Sequence, residues 1–286
     1  MRCPYAGAMD NLLVGAALLS AVLHAAWNAA VKASPHPAQA MLGQMLVSAV
    51  LALPLLAWAG LPPPAAWPWL AASLLLNVGA VAALLRGYVH AGLGIVYPMA
   101  RASSVLLVLP LAAAVAGERP APLGMLGIAL VSTAMLILAL GTGREGKLKG
   151  PALGWILAAG VFGAGYAVCD AQGVRQSQSP LAYGAALTIV NAATWAWLQQ
   201  RAGVSMAGVA AQWRRALPAG VAAMLSYLLI LWAFQHGPIA LGAALRDTSA
   251  VFAALIAVTI LKEPLDRRVP LAVLLATVGS MLIRLG

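Results

Sequence analysis

Ten separate apolar runs, each about as long as a bilayer-spanning helix, constrain this chain more than any other feature. They fall at approximately 10–32, 38–60, 66–90, 94–116, 121–141, 151–174, 180–201, 213–236, 239–261 and 268–285. A spanning helix needs roughly 20 apolar residues, so ten of them take about 200 residues. What remains of the 286 residues suffices only for termini and short loops. The runs are continuously apolar and do not alternate, which excludes a transmembrane β-barrel. Only 8% of residues are charged, far below a soluble domain, and mean hydropathy is +0.91. A chain this apolar would expose large greasy patches in water. The breaks carry turn residues or charge, as in Ser34-Pro35-His36-Pro37 and Gly117-Glu118-Arg119-Pro120. The first run holds His24, Trp27 and Asn28 where a cleaved signal peptide carries small residues, so it is expected to remain as a helix. Residues 1–9 read as a tail.

The net charge of +10 would suggest nucleic acid in a soluble protein. Here the basic residues gather in short loops, as topology selection produces, and no nucleic-acid partner is expected. Ten lie after segments 1, 3, 5, 7 and 9, and four lie on the opposite side. The positive-inside rule then places both termini outside the cytoplasm. Trp58, Trp67, Trp69 and Trp213 sit at segment ends and read as interfacial belt residues. Cys3 and Cys169 have no redox or metal spacing and are read as inert. No cofactor or metal site is indicated.

The halves of the chain resemble each other. His90 is followed by Arg101 and then Glu118, as His236 is followed by Arg246 and then Glu263, with 17 residues from arginine to glutamate in both. Met135-Leu136-Ile137 matches Met281-Leu282-Ile283. Each half holds five segments, and an odd number inverts the second half relative to the first. The expected architecture is an all-α membrane protein of ten transmembrane helices as two inverted five-helix repeats, 10–141 and 151–286.

With Gly117-Glu118-Arg119-Pro120 and Lys262-Glu263-Pro264-Leu265 after segments 4 and 9, and His24-Ala-Ala-Trp27-Asn28-Ala-Ala-Val-Lys32 closing the first, the chain resembles the EamA type of drug/metabolite transporter. The resemblance spans nearly the whole chain. It implies a monomeric, multi-pass carrier in the cell (inner) membrane that moves small metabolites by alternating access, with amino acid exporters foremost. Related carriers take sugars, nucleotide precursors or drugs.

Polar groups inside a bilayer are costly and face a cavity or a bundle interior. Arg101 and Arg246 each lie roughly 10 Å inside their segments and approach from opposite faces. Together they form a candidate clamp for a carboxylate. Asp247, next to Arg246, is expected about 100° around the helix. Ser104 and Ser249 follow the arginines by three residues and share their faces. His24 and Asn28 lie one turn apart with Trp27 beside them, and Tyr166 and Asp170 repeat that spacing in segment 6. These nine residues are the candidate substrate ligands, and a zwitterion suits them: arginine for a carboxylate, Asp170 for an ammonium, rings for stacking. His24 and Asp170 are the candidate proton carriers. Gly92, Gly94 and Pro98 precede Arg101, while Gly237, Pro238 and Gly242 precede Arg246; these are the candidate hinges. Lys32 and Arg175 are expected to snorkel to water, and Glu118 and Glu263 to cap helices 5 and 10. Asn77, Thr188, Asn191, Trp195, Gln235 and His236 read as scattered polar residues without a motif. Efflux of drugs and carriage of other metabolites are the competing functions. An intramembrane enzyme is remote, since no His-Glu-x-x-His or Gly-x-Ser-x-Gly is present.

Overall fold

A computed structural model describes residues 10–91, 93–141, 150–259 and 267–285. The expected tail at 1–9, Gly92 and the Lys262–Leu265 turn with Glu263 lie outside the described residues. Twelve helices account for the chain described: α1 (Asn11–Lys32), α2 (Pro37–Ala59), α3 (Trp67–His90), α4 (Leu93–Ala116), α5 (Pro122–Gly141), α6 (Gly150–Ser177), α7 (Pro180–Arg201), α8 (Met206–Ala211), α9 (Trp213–His236), α10 (Ile239–Asp247), α11 (Ser249–Thr259) and α12 (Arg268–Leu285). Ten spans are long and apolar enough to cross a membrane. Their ends follow local chemistry. The Asp10 carboxylate caps α1 by accepting the Leu13 N–H at 2.8 Å, and the Ser179 hydroxyl caps α7 by accepting that of Ala182 at 3.1 Å. Leu75, Val89, Leu274 and many other large apolar side chains point outward, as a lipid solvent demands.

Two elements differ from the expectation. The short α8 interrupts the connection between the seventh and eighth spans. The ninth span, expected as one helix, is broken at Thr248 between α10 and α11. The break contains neither glycine nor proline. The Thr248 hydroxyl donates to the Leu245 carbonyl at 2.6 Å, competing with the backbone ladder, and Val251 N–H turns back to the Thr248 carbonyl at 2.8 Å.

The packing pairs the halves reciprocally. Helix α3 packs on α6 as α9 packs on α1, and α4 packs on α6 as α10 and α11 pack on α1. Helices α2 and α7 pair with each other, as do α5 and α12. Small residues permit the closest approaches. A Cβ at Gly127 of α5 would lie 2.6 Å from the Gly279 carbonyl oxygen of α12, and one at Gly279 would lie 2.8 Å from that of Gly127. Helix α6 offers Gly160 to Ser103 and Ala100 of α4, and Gly165 to Leu76 of α3. Filling the α5–α12 contact is a direct check on this packing. Gly127→Leu is expected to destabilise the protein by about 1–3 kcal/mol. Gly154→Leu, where a Cβ meets nothing within 4 Å, is expected to be near neutral in the same thermal unfolding series.

Candidate substrate-binding site

The reciprocal pairing leaves a cavity of about 960 Å³ between the helices. Eight of the ten spans line it; among the described residues α5 and α12 contribute nothing to its wall. At one end the lining runs out to the exposed Lys32, Pro37 and Ala38. All nine candidate ligands lie on this wall: His24, Trp27 and Asn28 from α1, Arg101 and Ser104 from α4, Tyr166 and Asp170 from α6, and Arg246 and Ser249 from the broken ninth span.

The two arginines meet different surroundings. Arg101 Nη2 lies 2.7 Å from Asp247 Oδ1, and its Nη1 donates to the Tyr166 hydroxyl at 3.3 Å. Its guanidinium sits 5.8 Å from the centre of the Tyr97 ring, and its Nε has no partner. Arg246 has no ion pair and no hydrogen bond among the described residues, and its Nε is buried without a partner. The two arginines therefore stand differently in this structure: Arg101 is already paired, and Arg246 has no such partner among the described residues. The cause is Asp247, whose carboxylate pairs with Arg101 of α4 and not with its neighbour Arg246.

Asp170 is buried, two turns inside the end of α6, because that helix continues to Ser177. Ser73 and Tyr183 donate to its Oδ1 and Tyr227 donates to its Oδ2 at 3.0 Å. His24 and Trp27 meet edge to face with ring centres 5.0 Å apart. The Asn28 amide donates back to the His24 carbonyl at 2.7 Å.

Asn77, Thr188, Asn191 and Trp195 are not scattered: all four line the cavity, joined by Tyr88, Tyr97 and Tyr227. Thr188, Asn191 and Trp195 follow one another at three and four residues along α7, a helical face visible in their spacing. Gln235 and His236 lie away from it, near the end of α9. Among the hinge candidates, Pro98 lies inside α4 one turn before Arg101, and Gly94 lies in the same helix. Gly237 and Pro238 link α9 to α10, and Gly242 packs against Phe234.

Comparison with known proteins follows the same lines. A solved crystal structure superposes over 95% of this chain and 94% of its own, with a TM-score of 0.77 at 16% identity, so the whole fold is shared. No curated protein matches the sequence. Residues 150–285 match the model of the EamA-like transporter family. The chain is an EamA-type protein of the drug/metabolite transporter superfamily.

In this EamA-type protein the end of the cavity opposite Lys32 is closed by polar clasps. Ser20 of α1 and Ser226 of α9 exchange hydroxyl-to-carbonyl hydrogen bonds at 2.7 and 2.8 Å. Further out, Glu118 and Arg175 correct two expectations. Arg175 does not snorkel: its side chain is 9% exposed, and Nη2 lies 2.7 Å from Glu118 Oε1. It also donates to the carbonyls of Phe234 at 2.9 Å and Gly237 at 2.8 Å, so the α9–α10 link recruits it inward. Glu118 caps α10 instead of α5, accepting the Ile239 N–H at 2.7 Å. The preceding Gly117, at φ +67, turns the chain inward where an L side chain is disfavoured. Burial pushes the Glu118 carboxyl above its usual range, while Arg175 and the Ile239 N–H work against that rise. Arg175→Ala would strand a buried carboxylate and is expected to cost about 3–5 kcal/mol in thermal unfolding. Adding Glu118→Gln is expected to recover part of that loss. The single Arg175→Ala chain is expected to gain relative stability as pH falls, because burial raises the folded-state pKa and favours the neutral acid.

Proposed function

We propose that this EamA-type transporter carries amino acids or similarly small zwitterions across the cytoplasmic membrane, foremost as an exporter, by alternating access. One observation carries the reading: the mid-membrane cavity presents the available guanidinium of Arg246 and the carboxylate of Asp170 among aromatic and apolar walls. A carboxylate on Arg246 gains charge-assisted hydrogen bonds. An ammonium has Asp170, and Trp27, Tyr88 and Trp195 offer surfaces for an apolar side chain. The exchange of helix pairings between halves suits two inverted repeats, and the single open end suits one of two access states. Among the described residues, the candidate hinges Gly94 and Pro98 lie in α4, and Gly237, Pro238 and Gly242 lie at the start of the ninth span; these elements bear the arginines.

Efflux of cationic drugs is the second reading. It would be favoured by a ring of acids, yet Asp170 is the one acidic residue on the lining among the described residues, and three hydroxyls hold it. The matched family is one of transporters, which fits a chain that is not an enzyme.

Proteoliposomes with the purified protein and a radiolabelled amino acid panel test the reading. Saturable uptake is expected. Arg246→Ala is expected to weaken apparent affinity about 10- to 100-fold, the worth of a hydrogen bond to a charged group. An imposed pH gradient is expected to stimulate uptake through His24 or Asp170, and Asp170→Asn to remove the part that Asp170 carries. No uptake of any amino acid by folded protein would overturn the substrate class and move drugs, sugars and nucleotide-like metabolites forward.

A further inference from the structure

We propose that Asp247 is the resident counter-ion of the binding site, which a substrate carboxylate displaces from Arg101. The inference rests on reading the cavity as a carboxylate site, with Arg246 as the first contact and Arg101 as the second on the same lining, and names the residue that sets its affinity.

Four observations carry it. First, the Arg101–Asp247 contact leaves part of the guanidinium free. It runs from Nη2 to one carboxylate oxygen at 2.7 Å, and Nε has no partner. A guanidinium offers a planar fork that matches both oxygens of a carboxylate, so this contact leaves a buried donor unused that a second carboxylate geometry would satisfy. Second, Asp247 is the last residue of α10. A negative charge there faces the carbonyl end of the helix, which opposes it, so Arg101 is what holds it in place. Third, the helix break at Thr248 follows immediately, giving Asp247 a joint on which to swing. Fourth, charge is out of balance. Arg101 and Arg246 face Asp247 around a small second space lined also by Ser104 and Tyr166, with room for about one water. Two guanidinium groups against one carboxylate leave this cluster short of one negative charge. Asp170 lies outside this small space, held by its three hydroxyls, and offsets the Arg246 charge only from across the main cavity.

The displacement therefore exchanges one carboxylate for another on Arg101. The incoming anion supplies the missing charge, and Asp247 is released at the break in the ninth span. Site occupancy is thereby coupled to the conformation of that span. A carboxylate that only tied α4 to α10 would have no such competition with ligand.

The test uses the full purified chain with sodium acetate as the probe and acetamide as the neutral control, in a fixed excess of salt, read by thermal unfolding. Asp247→Asn is expected to reach a given acetate stabilisation at a tenth or less of the concentration that wild type needs, with no difference in acetamide. Unchanged, weaker or absent acetate stabilisation in Asp247→Asn overturns the proposal. Should the variant purify unfolded, acetate present throughout purification is expected to recover it, and no recovery counts against the proposal. Amino acid uptake by the wild-type protein reports on the carboxylate site separately. A failed acetate result with uptake intact removes the counter-ion and leaves the substrate reading standing.

Discussion

A pair of opposite charges held inside a bilayer organises this protein. Arg101 lies two turns inside one end of α4, and Asp247 lies two turns inside the other end of the ninth span. Either charge alone would be costly at that depth, and pairing offsets the cost. The pair therefore fixes α4 against α10 and ties the first half of the chain to the second. Helix α6 lets α4 come close by presenting Gly160 and Gly163 to Ser103 and Ser104. With α4 and α10 joined, Arg246 is left on the cavity wall without an ion pair among the described residues.

The same logic closes one end of the bundle. Glu118 and Arg175 are buried together, and each also satisfies backbone groups where α9 passes into α10. An inward-facing proline link leaves carbonyls and an N–H that lipid cannot satisfy, so ionised side chains from distant parts of the chain do so. The opposite end lacks these clasps on the cavity wall and reaches exposed residues. Under the proposed alternating access, opening this end would break only a few identifiable bonds.

The ten spans were legible because apolar length is a direct physical requirement of the bilayer. So was the grouping of His24, Asn28, Tyr166, Asp170 and the arginines, since polar residues deep in apolar runs have few places to go. The remaining features depended on partners far apart in sequence. Nothing near Arg175 shows that it meets Glu118, 57 residues away, so a solvated helix end was the simpler expectation. Helical geometry sets Asp247 about 100° around the helix from Arg246, but its partner on α4 was not readable from α10. The Thr248 break has no glycine or proline to announce it. Asn77, Thr188, Asn191 and Trp195 each look ordinary alone and acquire meaning only when α3 and α7 face the same cavity.

Alternating access to this cavity is the centre of the account, and thiol accessibility tests it most directly. Cys3 and Cys169 are replaced by alanine, Ser249 on the cavity wall becomes the single cysteine, and the protein is oriented in proteoliposomes. A membrane-impermeant thiol reagent is then applied from each side in turn. With alternating access, Ser249→Cys is expected to be modified from both sides, at rates that a bound substrate changes. Modification from one side alone, however long the exposure and with substrate present or absent, would contradict it.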